Sequence, residues 1–194
     1  MKLILKLSLF LCLLLGTQQS FGQITFVNPD IEEPNCLSCA GCAAPSWTVC
    51  ALSPDIQPGQ WGVNVPPQSG CTYAGFASGE YIGQKLSCAL VPGKTYRLTA
   101  WLAYDPIYCA TQLNGGCVDA GSRGAPGNLL VYAGTGQCTT NELLWQSGTL
   151  PASADKNWTQ YSVVFTPVGG PYDYVLFVEV VTLFSVKPLL QMKS

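Results

Sequence analysis

The sequence predicts an all-β protein folded as a β-sandwich, and three observations carry that prediction. Apolar and polar residues alternate with period two over Thr95–Tyr104 and again over Trp158–Thr166, the pattern of half-buried strands. Twenty glycines and 14 prolines among 194 residues supply turn signals along the whole chain. No segment carries an apolar stripe at helical spacing, so no long helix competes with the strands.

Residues 1–22 read as a secretory signal peptide and are set apart from the fold. Lys2 and Lys6 precede the apolar run Leu7–Leu15, and Ser20-Phe21-Gly22 offers the small residues of a cleavage site. That run falls well short of the roughly 20 residues needed to cross a bilayer, so no membrane span is expected. Cys12 lies inside the run with more leucines after it, which argues against lipid attachment there. The sandwich domain is expected over 23–182, with 183–194 as a C-terminal tail.

Ile24–Asn28 is the first expected strand, ended by Asn28-Pro29. Residues 29–70 hold Pro34, Pro45, Pro54, Pro58, Pro66 and Pro67, which exclude a long helix or a central strand. Tyr81–Ser87 is the next strand, and Val91-Pro92-Gly93-Lys94 is a type II turn by its Pro and Gly positions. Thr95–Tyr104 points Tyr96, Leu98, Ala100, Leu102 and Tyr104 one way, and Thr95, Arg97, Thr99, Trp101 and Ala103 the other. A Gly- and Cys-bearing loop over 105–127 leads to strands at Asn128–Tyr132 and Glu142–Gln146. Trp158–Thr166 turns Tyr161, Val163 and Phe165 inward, and Tyr172–Val180 is expected to pair with it across Pro167–Pro171. From Tyr174 to Val186 no turn residue appears, longer than a single strand usually runs. The tail is therefore expected to be truncated or altered, with an exposed edge or a poorly ordered C-terminus.

Composition narrows the function. Nine Lys+Arg against 11 Asp+Glu leave no basic surface for phosphates, so nucleic acid is not an expected partner. Charged residues make up 10% of the chain, against about 25% in typical globular proteins, and neutral hydroxyl and amide side chains outnumber them. The absence of histidine removes Ser-His-Asp and Cys-His catalysis and imidazole-ligated metals. The acids are scattered. Asp105 and Asp119 flank the Cys-bearing loop, but no motif links any carboxylate pair of the glycosidase kind, so catalysis is not expected. Asn157-Trp158-Thr159 matches a glycosylation sequon but falls inside a strand signature, which makes it a coincidence of spacing.

Beyond the signal lie Cys36, Cys39, Cys42, Cys50, Cys71, Cys88, Cys109, Cys117 and Cys138. In an exported chain these are disulfide candidates, and their odd number demands a free thiol or an intermolecular bridge. The group C-L-S-C-A-G-C (36–42) also invites a metal reading. The position for a fourth iron–sulfur ligand holds Ser46, and no second C-x-x-C follows to complete a zinc site. Disulfides are the expectation, a redox-active C-x-x-C the alternative. Cys109 and Cys117 bracket Gly115-Gly116 and are plausible partners across that loop.

Several stretches resemble carbohydrate-binding modules of the galactose-binding-like jelly-roll fold. They are F-V-N-P-D-I-E-E (26–33), L-V-P-G-K-T-Y-R-L-T-A-W-L (90–102) and N-W-T-Q-Y-S-V-V-F-T-P (157–167). Three further stretches are similar to a group of exported Bacteroidetes surface domains: P-Q-S-G-C-T-Y-A-G-F (67–76), E-Y-I-G-Q-K-L (80–86) and C-T-T-N-E-L-L-W-Q-S (138–147). Members of that group close the sandwich with a strand carrying an Asp-Asn or Asp-Asp pair, which this chain lacks. The resemblance implies an exported module that binds glycans or surface polysaccharide without catalysis. The alternative is a structural or adhesive cell-surface domain with protein partners and no sugar site. Trp61, Tyr73, Trp101, Tyr104 and Tyr108 are the expected ligand-binding rings, with Trp145 and Trp158 assigned to the core. The resemblance also implies a structural Ca²⁺ near the first strand, with Glu32 or Glu33 as its carboxylate ligand.

Overall fold

The computed structural model describes residues 24–77, 79–109, 112–113, 116–117, 120–123, 127–151, 156–179, 184–188 and 191–192. The expected signal segment lies outside them. In chain order the strands begin with β1 (Ile24–Thr25), β2 (Thr48–Ala51), β3 (Asp55–Gln57), β4 (Tyr73–Phe76), β5 (Tyr81–Leu90) and β6 (Tyr96–Ala103). Four short strands follow within the 105–127 loop: β7 (Ile107–Cys109), β8 (Gln112–Leu113), β9 (Gly116–Cys117) and β10 (Ala120–Arg123). The chain continues through β11 (Leu129–Gly134), β12 (Glu142–Gln146), β13 (Thr159–Phe165), β14 (Tyr172–Glu179), β15 (Phe184–Pro188) and β16 (Gln191–Met192).

Two five-stranded antiparallel sheets make the sandwich, in the orders β12-β11-β14-β5-β2 and β13-β6-β15-β4-β3. Alternation along each strand decides what the sandwich encloses. Leu98, Ala100 and Leu102 of β6, Phe165 of β13, and Ile56, Ala74 and Phe76 share one core with Ile82, Val131, Ala133, Val175 and Phe177 of the first sheet. At one end Trp47 stacks on Phe26 at 5.5 Å and leans on Phe177 at 5.6 Å. Its indole N–H donates to the Asn28 carbonyl at 2.9 Å. Asn28 in turn bonds Glu32 from both ends of its amide, so the N-P-D-I-E-E stretch is a turn built to seat Trp47.

Three sequence expectations are corrected here. β14 does not pair with β13: it lies between β11 and β5 in the first sheet, while β13 pairs with β6 in the second. Residues 167–171 therefore cross between sheets, anchored where Gly93 N–H donates to the Pro167 carbonyl at 2.8 Å. Within 183–194, the described residues are paired strands and not a loose tail. Phe184–Pro188 is hydrogen-bonded between β4 and β6, an interior position, and β16 pairs with β1. Strands from the expected tail thus complete the second sheet. Finally, the 29–70 stretch is less irregular than its prolines suggest, because β2 and β3 join opposite sheets as short edge strands.

Disulfides order that stretch. Cys36 pairs with Cys71, Cys39 with Cys42, and Cys50 with Cys138. The last bond ties β2 to the loop after β11 and lies against Gly83, where a Cβ would stand 3.2 Å from Leu176 and 3.3 Å from the Cys50 sulfur. Cys109 is disulfide-bonded, while the side chain of its expected partner Cys117 is outside the described residues. Cys88 is the free thiol that the odd count required among the described residues, and it is exposed.

Candidate functional site

The outward face of the second sheet is half covered. The loop over 58–70 folds across β3 and β4, and Val65, Tyr73 and Ala103 form a small separate cluster beneath it. Gln57, buried on β3, secures this cover by accepting from Gln60 N–H at 3.0 Å and donating to the Gln60 carbonyl at 3.2 Å. Gly75 on β4 gives Gln57 room, since a Cβ there would lie 2.7 Å from its Cγ. The turn Gln60–Gly62 carries Trp61, a non-glycine residue held at φ 54. Such a conformation costs on the order of 1–3 kcal/mol and persists because neighbours impose it. The Trp61 side chain hydrogen-bonds the Asp55 carboxylate.

The remaining half of the face is open. Cross-strand pairs along β6 and β13 place Arg97 beside Val164, Thr99 beside Ser162 and Trp101 beside Gln160. Gln160, Ser162 and Val164 are exposed, and Thr99 and Trp101 half-buried. The Thr99 and Ser162 hydroxyls stand 3.4 Å apart. Trp158, just before β13, has the same outward parity as Gln160 and so lies diagonal to Trp101. It meets the Tyr73 ring edge-on at 5.2 Å, and its indole N–H donates to the Pro66 carbonyl at 2.7 Å. Trp158 is therefore not in the main core, as its sequence context suggested, but at the rim of the covered half. The alternation that turned Tyr161, Val163 and Phe165 inward already implied this outward parity. Trp145 does pack at the core margin, 5.7 Å from Tyr161.

The other expected rings separate cleanly. Tyr73 is fully buried, with its hydroxyl donating to the Val65 carbonyl at 2.7 Å, and Tyr104 is buried in the main core. Neither offers a face to a ligand: Tyr73 is covered by the 58–70 loop, and Tyr104 has the inward parity of Leu98 and Leu102. The Tyr108 side chain lies outside the described residues. Trp61 and Trp101 are half-buried and reachable.

The expected calcium ligands are engaged elsewhere. Glu32 accepts the N–H groups of Cys71 and Thr72, both at 3.1 Å. Glu33 accepts those of Asn35 at 2.7 Å and Leu37 at 3.1 Å. N–H dipoles converging on a carboxylate present positive charge where a cation would sit, so this donor set does not fit Ca²⁺. Among the described residues no group of three or more His, Cys, Asp or Glu could hold a metal ion. Asp105 is also occupied, accepting from Asn64 N–H at 3.2 Å and facing the Lys156 ammonium at 3.5 Å.

Two further acids matter electrostatically. Burial pushes the Asp55 carboxyl up to about 6; Gly41 N–H and the Trp61 side chain pull it down, and the nearby Glu80 charge adds to the rise. Burial likewise raises Glu80, opposed by bonds from Ala77 N–H and Ser53. A carboxyl raised on folding binds its proton more tightly in the folded chain. Its stabilisation is complete below the ordinary carboxylate range and is lost as pH rises through the folded value. Resistance to urea is therefore expected to fall from pH 5 to pH 7, and Asp55→Asn should flatten that slope. Glu142 has its carboxyl lowered: burial would raise it, but N–H bonds from Val168 and Gly169 outweigh that. Its effect falls below pH 4.5 and does not overlap this window.

An all-β, disulfide-stabilised sandwich with one open aromatic and polar sheet face is the class of protein these features define. No protein-family model and no curated protein sequence matches the chain. Among solved structures, a Stig cyclase, Fisc from Fischerella sp. TAU, is similar with a TM-score of 0.57 at 16% identity, over 89% of this chain and 97% of that one. That likeness shows the shared fold. The C-terminal CBM6 of a laminarinase from Zobellia galactanivorans aligns with a TM-score of 0.43 at 14% identity, over 66% of this chain and 85% of that one. A CBM22 xylan-binding domain from Paenibacillus barcinonensis aligns with a TM-score of 0.44 at 9% identity, over 91% and 97%.

Proposed function

We propose that this chain is an exported, non-catalytic glycan-binding module whose ligand lies along the outward face of β6 and β13. One observation carries the reading: Trp101 and Trp158 stand diagonally on that face beside Thr99, Gln160 and Ser162. An indole offers an apolar plane to the C–H face of a sugar ring, and neutral hydroxyls and amides exchange hydrogen bonds with its hydroxyls. Arg97 is the one charged side chain on these outward positions of β6 and β13 and no carboxylate stands with it there, so the face suits a glycan that is neutral or carries an acidic sugar. Trp158 is held by Tyr73 and Pro66 before any ligand arrives, so less entropy is lost on binding. Export is supported by the disulfides, which persist in oxidising compartments.

Titration calorimetry against a panel of neutral and acidic oligosaccharides tests this. Trp101→Ala is expected to weaken the best ligand about tenfold, a loss of roughly 1.4 kcal/mol, while leaving the melting temperature nearly unchanged. Unchanged affinity in that variant, or no binding to any glycan at millimolar concentration, would sink the reading. A second reading rests on the outward face of the first sheet, where Tyr81, Leu130 and Val178 form one half-buried row beside Tyr132 and Tyr174. Such a row suits a protein partner. Under that reading Leu130→Glu should abolish partner capture while glycan affinity is nil throughout.

A further inference from the structure

The C-x-x-C pair stands apart from the other disulfides. Cys39 and Cys42 close on each other, although Cys36, Cys50 and Cys71 lie nearby in the sequence. The turn that carries them is fastened to β3 independently of its sulfurs. Cys39 and Ile56 exchange backbone bonds at 3.0 and 2.8 Å, and Cys42 N–H donates to the Pro54 carbonyl at 2.8 Å. Between the cysteines, Gly41 N–H donates to the buried Asp55 carboxylate at 3.0 Å. Opening the disulfide would leave these bonds in place, so a reduced pair would stay where the oxidised one is. Both cysteines are half-buried at the core margin, neither sealed nor loose. A bond that spans three residues and duplicates an existing set of hydrogen bonds adds little to the fold. Its exposure and its pinned turn suit exchange instead.

We propose that Cys39–Cys42 is a redox-active disulfide that oxidises dithiols of exported polypeptides, with Asp55 positioning the turn. A substrate thiolate attacks one sulfur of the pair, the Cys39–Cys42 bond breaks, and a mixed disulfide forms. The released cysteine thiolate takes a proton from water. The substrate's second thiolate then displaces the other cysteine, leaving the substrate with a disulfide and the pair as a dithiol. Two electrons and two protons pass from substrate to Cys39 and Cys42.

The test uses the folded chain in glutathione buffers of graded poise, quenched with an alkylating reagent and mapped by peptide mass. Cys39 and Cys42 should become labelled together at a poise that leaves Cys36–Cys71 and Cys50–Cys138 intact, and should reoxidise fully. In glutathione disulfide the chain should speed oxidation of a dithiol peptide at least tenfold over the C39S/C42S double variant. Labelling of Cys39 and Cys42 only together with the other disulfides overturns the proposal, as does an equal peptide rate with both proteins. The mapping arm needs no substitution, so it decides even where the double variant folds poorly.

Discussion

Replacing Cys50 and Cys138 together by serine is expected to lower the unfolding free energy by about 4 kcal/mol, because the bond closes a separation of 88 residues. For a domain of this size that corresponds to a fall of roughly 10 °C in the melting temperature. The cause acts mainly in the unfolded chain, where the cross-link removes many conformations. A native contribution adds to it, since the sulfur packs beside Gly83 and Leu176 on the outer face of the first sheet. The comparison within the molecule is direct. The Cys39–Cys42 bond spans only three residues, and the same entropy argument allots it under about 2 kcal/mol. Thermal melts of the two double variants without reductant should therefore show a loss at least twice as large for the long bond. Equal losses would show that loop closure is not what the long bond contributes.

Trp47→Ala is expected to cost about 4 kcal/mol, at the level of a large aromatic removed from a packed core. Trp47 is buried between Phe26 and Phe177, and its N–H is what binds the Asn28 carbonyl. The substitution opens a cavity and also frees the turn whose amide bonds hold Glu32. Urea unfolding should show the loss as a lower midpoint with an unchanged slope. Trp101→Ala is the counterpart: an outward ring whose loss should change stability by less than about 1 kcal/mol while weakening glycan binding. One tryptophan holds the sandwich and the other is proposed to serve it. A stability loss at Trp101 as large as at Trp47 would place both in the frame.

Much of the fold was legible because alternation is local. The inward set Tyr96, Leu98, Ala100, Leu102 and Tyr104 followed from spacing alone and is buried in the main core, while Ala103 of the opposite set is buried only under the outer cover. The same spacing gives the face proposed to bind glycan: Trp101 and Trp158 have outward parity, although the matched strand around Trp158 points to a core ring. What spacing could not supply was the covering of a face. Tyr73 is a loop-flanking ring like Trp101 in sequence, yet it lies under the 58–70 loop, whereas Tyr104 follows the inward parity of Tyr96 and Leu98 into the main core. Glu32 and Glu33 look like cation ligands until the chain brings the backbone N–H groups of Cys71 and Thr72 to one and those of Asn35 and Leu37 to the other.

By itself, then, the sequence determined the all-β class, the inward and outward parity of each clear strand, and the odd thiol, because these depend on residue type and near-neighbour spacing. Only the tertiary structure decided which strands are neighbours. Tyr172–Glu179 follows Thr159–Phe165 along the chain but sits in the opposite sheet, and Phe184–Pro188 fills an interior place that no local signal marked. The physical reason is that strand pairing is settled by burying both faces of one core across long separations. A chain read residue by residue shows which side each ring faces. It does not show what comes to lie on that side.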